Sequence, residues 1–151
     1  MAKTLKGPAS TAWGAFAQWV RVRDCIETTG HPFVCICVSC DKQFHISYID
    51  AGHLIPGRSN GLLFQEELVH GQCRNCNRSS FPQIPKKYRK KMDERYGKEQ
   101  VDIWKAKGNK PIPNKDMDYE AIKIKYREKL HVLLIPFSYN DYKEMLQGHQ
   151  Y

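Results

Sequence analysis

Two cysteine pairs of identical spacing, Cys37-Val38-Ser39-Cys40 and Cys73-Arg74-Asn75-Cys76, constrain this chain more than any other feature. Four thiolates complete a tetrahedral zinc shell with bonds of about 2.3 Å, and each two-residue gap lets one tight turn present two sulfurs to the ion. The chain between the pairs must then leave the first knuckle and return to it. Two disulfides, or buried free thiols, are the competing reading. Paired spacing in a chain expected to be intracellular favours the metal. Cys35 with Cys40 would also make a usable knuckle, and Cys37 is preferred because its gap matches that of the second pair. Cys25 and Cys35 then read as ordinary buried cysteines. A closed four-sulfur shell has no position for a substrate, so this zinc is expected to be structural and to contribute folding free energy.

The chain has 151 residues, enough for one ordinary domain and too few for two well-packed ones. A single domain is therefore expected over 1–151, with an N-terminal helix and loop at 10–30, a zinc core at 31–85 and a basic helical part at 86–151. Lys and Arg number 24 against 16 Asp and Glu, a formal net charge of +8. That excess points to a polyanionic partner, nucleic acid being the commonest, without separating DNA from RNA or an acidic protein. No apolar run resembles a signal-peptide core or a membrane span, so a soluble, intracellular protein without a membrane partner is expected.

Along the chain, Trp13, Phe16, Ala17 and Val20 recur at helical spacing, and residues 24–32 are read as a loop because Gly30 and Pro32 break the pattern. The β-rich runs 33–37 and 44–49 flank the first knuckle and suit a short hairpin. Gly, Pro and Ser mark 51–60 and 77–85 as loops. Pro85 opens a helix through Tyr88 and Met92 to Tyr96, with Gly97 as a left-handed cap. A shorter helix follows over 98–107, with Val101 and Trp104 on one face. After a Pro-bearing linker at 110–115, Tyr119, Ile122, Tyr126, Leu130 and Leu133 mark a further helix that Pro136 ends. One more helical turn is expected in the tail, 139–151.

Between the knuckles stands Asp50-Ala51-Gly52-His53-Leu54-Ile55-Pro56, and Asn77 follows the last cysteine directly. A lone His is more often structural than catalytic, and an Asn after such a pair is more often a cap. The order as a whole, however, resembles that of zinc-containing HNH (ββα-metal) nucleases: a zinc knuckle, then His-apolar-apolar-Pro, then a second knuckle followed by Asn. The stretch from Asp50 to Asn77 is specifically similar to the NinG/Rap family of lambda-like phage recombination nucleases, through Asp-Ala-Gly-His, Leu63-Phe64 and Val69-His70-Gly71-Gln72-Cys73. The helical segment ending Arg21-Val22-Arg23-Asp24 also resembles that family, and the similarity covers roughly 10–107.

The resemblance implies an α+β fold, with a zinc-stabilised ββα-metal core and short hairpin flanked by an N-terminal helix and several C-terminal helices. It implies a metal-dependent DNA endonuclease acting on branched DNA such as Holliday junctions, in the cytoplasm of a phage-infected cell. A homodimer would follow if the protein makes two symmetric cuts. His53 becomes the general base, since an imidazole with an ordinary pKa of about 6.5 is largely neutral near pH 7. Asp50 and Asn77 become oxygen ligands of a catalytic Mg or Mn ion. Asp50 stands three residues before His53, where many such sites place the carboxylate adjacent, so orienting His53 or capping the turn is its other role. At the family's middle Asn this chain has Leu68, which leaves Glu67 or His70 to substitute for it or the site weakened. His70 is read either as catalytic or as a hydrogen-bonding scaffold.

Lys86, Lys87, Arg89, Lys90 and Lys91 concentrate charge in one helix, with Arg58, Arg74 and Arg78 nearer the motif. Such a run is often only a solvated face. Beside a phosphodiesterase site these side chains become candidate phosphate contacts that position DNA without reading its sequence. A non-catalytic zinc-dependent DNA-binding module is the alternative function, and a zinc-stabilised protein-interaction domain a third, disfavoured by the charge.

Overall fold

In the computed structural model the described residues are 4–57 and 61–137. The order is α1 (Gly7–Thr29), β1 (Val34–Ile36), β2 (Gln43–His45), β3 (Ile49–His53), β4 (Val69–Cys73), α2 (Arg74–Asn77), α3 (Gln83–Tyr96), α4 (Lys98–Gly108) and α5 (Tyr119–Leu134). The class is thus α+β, with one antiparallel hairpin from β1 and β2 and another from β3 and β4. Among the described residues no helix is long and apolar enough to cross a membrane.

The long helix α1 organises the rest. Its Phe16, Trp19 and Val20 are buried with Val69 of β4 and Tyr126 of α5, and Phe16 meets the Tyr126 ring edge-on at 4.7 Å. The helix does not stop at Asp24. It continues to Thr29 and ends where Gly30 takes φ 75° and donates its N–H to Ile26 O. Burial and local hydroxyl bonds outweigh the weak helix signal: Asp24 and Cys25 are buried, and the hydroxyls of Thr28 and Thr29 return one turn back to Asp24 O (2.6 Å) and Cys25 O (2.9 Å).

The first hairpin pairs Val34 with His45 and Ile36 with Gln43, so its second strand starts one residue before the expected run 44–49 and stops at His45, where Ile46–Tyr48 form a 3-10 turn instead of strand. The second hairpin takes in 51–53, expected as loop and found as strand. Gly52 permits this by its lack of a side chain: a Cβ there would lie 2.9 Å from Gln72 Cβ on β4. Register sets Asp50 opposite Gln72, Gly52 opposite His70 and His53 opposite Val69. By strand alternation Ile49, Ala51 and His53 share the face toward α1, and Asp50 and Gly52 take the other.

Helix α3 lies against the second hairpin through Tyr88, whose hydroxyl donates to Gly52 O at 2.8 Å and lies 3.3 Å from Leu68 O. Tyr88 and Met92 bury with Val101 of α4 in a small core of their own. Gly97 joins the two helices at φ 86°, ψ 137°, a positive φ but outside the left-handed helical cap expected of it. The tail beyond 137, where one more helical turn is expected, lies outside the described residues.

Candidate active site and metal centre

The two knuckles converge. The ligand atoms of Cys37, Cys40, Cys73 and Cys76 all lie within 4.8 Å of one another, with Cys40 Sγ 4.0 Å from Cys73 Sγ. A tetrahedral shell with 2.3 Å bonds has sulfurs about 3.8 Å apart, so the four are positioned to hold a metal ion. The backbone prepares the site as well. Ser39 N–H and Cys73 N–H reach Cys37 Sγ at 3.4 and 3.3 Å. Burial pushes the Cys37 thiol up, and N–H groups of Cys73, Cys40 and Ser39 overcome it, leaving the thiol below its ordinary value. Burial raises Cys73 and Cys76; the neighbouring sulfurs add to the rise at Cys76, while at Cys73 the hydrogen bonds of Cys76 work against it. A shared cation is what such a set needs in order to hold four thiolates together. Cys35 is not in this group. It lies beside Cys25, whose thiol is pushed far up first by its hydrogen bond to Cys35 and then by burial, as befits an inert buried pair.

The cysteine cluster fixes the short helix α2 against β3, and so fixes Asn77. The Asn77 amide nitrogen donates to Asp50 Oδ2 at 3.1 Å, and Arg74 Nε stands 3.7 Å from Asp50 Oδ1. Asp50 and Asn77 are thus neighbours at the open end of the hairpin. Both offer hard oxygens, and magnesium is commonly held by one or two such protein groups with water and phosphate completing its shell, so the donor chemistry fits a divalent cation.

His53 stands at the end of β3. Its ring is stacked on Trp13 of α1, with centroids 4.9 Å apart and planes at 21°. Its Nε2 lies 3.0 Å from Leu63 O. A carbonyl only accepts, so Nε2 is the donor in this contact. His53 and Asn77 line the same cleft of about 320 Å³, with Gln72, Ser79 and Tyr88 among its walls. Asp50 is not among its walls, although it accepts the Asn77 amide N–H.

Leu68 is buried in the core, 1 % exposed, and its carbonyl accepts from Leu54 N–H at 3.0 Å. The hydrogen bond to His53 comes instead from the Leu63 carbonyl. Sequence offers no signal for that contact, since every residue type supplies a carbonyl. Trp13 read only as part of an apolar helix face, although its ring is what holds the imidazole plane.

His70 takes another position. Its Nδ1 meets Asp24 Oδ2 at 3.0 Å and its Nε2 meets Glu67 O at 3.1 Å, with the residue 5 % exposed. Asp24 also accepts from Gly71 N–H (2.6 Å) and from Arg23 Nε (2.6 Å), and Arg23 continues to the carbonyls of Glu66 (2.9 Å) and Val69 (2.7 Å). Burial would raise the Asp24 carboxyl, but the hydrogen bond and charge of His70, then those of Arg23, bring it down to about 2. This network ties α1 to β4, a scaffold geometry for His70.

This chain matches the family described as the bacteriophage lambda NinG protein over residues 2–134. It belongs to the NinG family. No curated protein and no solved structure is similar enough to match it. The family match takes in both knuckles, the cleft and α5, well beyond the region where the motif alone carries a resemblance.

The expected phosphate contacts divide into groups. Arg74, Arg78, Lys86 and Lys87 are exposed on α2, the following loop and the start of α3. Arg89 is committed to Asp93 and Asp102, both at 2.6 Å, Lys91 pairs with Asp41, and Lys90 lies 4.0 Å from Glu94. Arg78, Lys86 and Lys87 make no ion pair among the described residues, whereas Arg74 stands 3.7 Å from Asp50. Arg58 lies outside the described residues.

Proposed function

We propose that this NinG-family protein is a metal-dependent DNA endonuclease of the HNH type, and that the zinc knuckle is the frame on which its active site is built. Membership of the family points to a phage protein connected with recombination, acting in the cytoplasm of the infected host. The observation that carries the catalytic reading is the meeting of His53 and Asn77 on one cleft, with Asp50 bonded to Asn77.

In this reading His53 Nδ1 takes the proton from the attacking water, while the Leu63 carbonyl and the Trp13 ring hold the imidazole in the required tautomer and plane. Asp50 and Asn77 would hold Mg or Mn, which when bound supplies charge neutralisation at the scissile phosphate and the departing oxygen. Exposed Arg74, Arg78, Lys86 and Lys87 seat the backbone on either side. Zinc is the ion suited to the four sulfurs, and branched DNA bound by a homodimer is the substrate that the family connection favours.

A second reading, a DNA-binding protein without catalysis, draws on one feature. Asp50 is shared with Arg74 and stands on the face of β3 opposite His53. Incubation with supercoiled plasmid separates the two: nicking that needs added Mg or Mn supports the nuclease, and binding without nicking supports the alternative.

A further inference from the structure

The cleft between His53 and Asn77 does not end at those residues. Over Leu54, Pro56 and Pro85 it meets a second cleft of about 370 Å³ that reaches Lys86 of α3 and Lys105 of α4. The two together form one groove with an aliphatic floor, completed by Ile55. Among the described residues its lining contains no carboxylate. Two clefts elsewhere carry acidic walls, one with Asp24, Asp41 and Glu94 and another with Glu27, Glu66 and Glu67, while a third, between Lys6, Phe64 and Met117, has none. Lys86 and Lys105 are exposed, and neither makes an ion pair among the described residues.

A floor of Leu, Ile and Pro beside unpaired cations suits one form of nucleic acid better than the other. Duplex DNA presents phosphates and groove edges, with its base faces stacked inside, so it offers little apolar surface for such a floor to cover. An unpaired strand exposes both a phosphate backbone and base faces, and proteins that hold single strands combine a cationic groove with platforms for those faces. An aromatic platform stands near the other end of the groove. Phe81 is 65 % exposed in the turn between Ser79 and Ile84, two residues that line the cleft, and its carbonyl accepts Ile84 N–H at 3.1 Å.

We infer that the groove from Phe81 past His53 and Asn77 to Lys105 holds an unpaired stretch of DNA strand, so that the protein selects DNA with unstacked nucleotides beside the point of attack. The inference rests on the proposed nucleic-acid substrate, and it names the structural element of that substrate which the site recognises.

Binding can be read without cleavage, in the absence of added Mg or Mn, by fluorescence anisotropy of the full chain on a blunt duplex and on the same duplex with a four-nucleotide gap. The gapped DNA is expected to bind at least about tenfold more tightly. Since stacking of one base is worth about 1–3 kcal/mol, Phe81→Ala should lower the gap-to-duplex affinity ratio by about fivefold or more, and Phe81→Trp should restore it. Lys105→Ala should lower the same ratio. Photo-crosslinking from 5-iodouracil within the gap should attach to peptides carrying residues 54–56, 81 or 85–105. Equal affinity for the two DNAs, or crosslinks confined to other peptides, would overturn the inference. Read beside the plasmid assay, a protein that prefers the gap but nicks nothing would refute the nuclease reading and leave this one standing. One that cuts duplex without preferring the gap would do the reverse.

Discussion

Replacing Asp24 by Asn should be among the most damaging single changes in this protein, although it alters no group in the cleft. The carboxylate accepts from Arg23 Nε and Gly71 N–H at 2.6 Å each and meets His70 Nδ1 at 3.0 Å. Asn keeps one acceptor oxygen and turns the other into a donor, which must then face either Arg23 or the Gly71 and His70 pair. Asp24 and its side chain's partners are largely buried, so water cannot repair the mismatch. Breaking a buried ion pair by removing one partner costs about 3–5 kcal/mol. With a urea m-value of about 2 kcal/mol/M for a domain of this size, the unfolding midpoint should fall by about 1.5–2.5 M. Urea melts followed by far-UV circular dichroism give that shift directly. A fall of less than about 0.5 M would show that the network does not hold α1 to β4.

The same carboxylate makes stability acid-sensitive. Its folded pKa of about 2 lies below the ordinary value of about 3.9, so its contribution is present above about pH 4 and is lost as pH falls toward 2; about 2–3 kcal/mol should disappear across that window in urea melts at stepped pH. Wild-type protein should carry one zinc per chain by elemental analysis, and Cys40→Ser should lose it together with the fold around α2, because structural zinc contributes about 10–16 kcal/mol in zinc-finger peptides. DNA affinity should fall steeply with salt, with a log–log slope of roughly −5 if five or six phosphates are contacted, and Lys86→Ala with Lys87→Ala should flatten it by roughly 2.

The parts of this architecture that follow from local pattern were legible in the sequence. Cysteine spacing located the metal cluster, and three- and four-residue apolar steps located α3, α4 and α5 within a few residues. What was not legible depends on partners distant in the chain. Helix α1 runs past Asp24 because that carboxylate is satisfied by Gly71, 47 residues away. Strand β3 reaches His53 because Gln72 occupies the space beside Gly52. At the candidate site, residue types named His53, Asp50 and Asn77, but the groups that orient the imidazole are a backbone carbonyl and an indole on another helix. His53 is held by those atoms and not by residue 68, where the resemblance leads one to expect Asn and Leu68 is buried in the core.

That holding is central to the account, and single-turnover cleavage tests it most directly. Wild type, His53→Ala and Asn77→Ala should be compared on one radiolabelled branched DNA with Mg or Mn, at protein concentrations that saturate binding for each. Wild type should cut, His53→Ala should bind with nearly unchanged affinity and cut at least about a hundredfold more slowly, and Asn77→Ala should recover part of its rate as manganese is raised. Cutting by His53→Ala at the wild-type rate would contradict the assignment of the general base and, with it, the proposed active site.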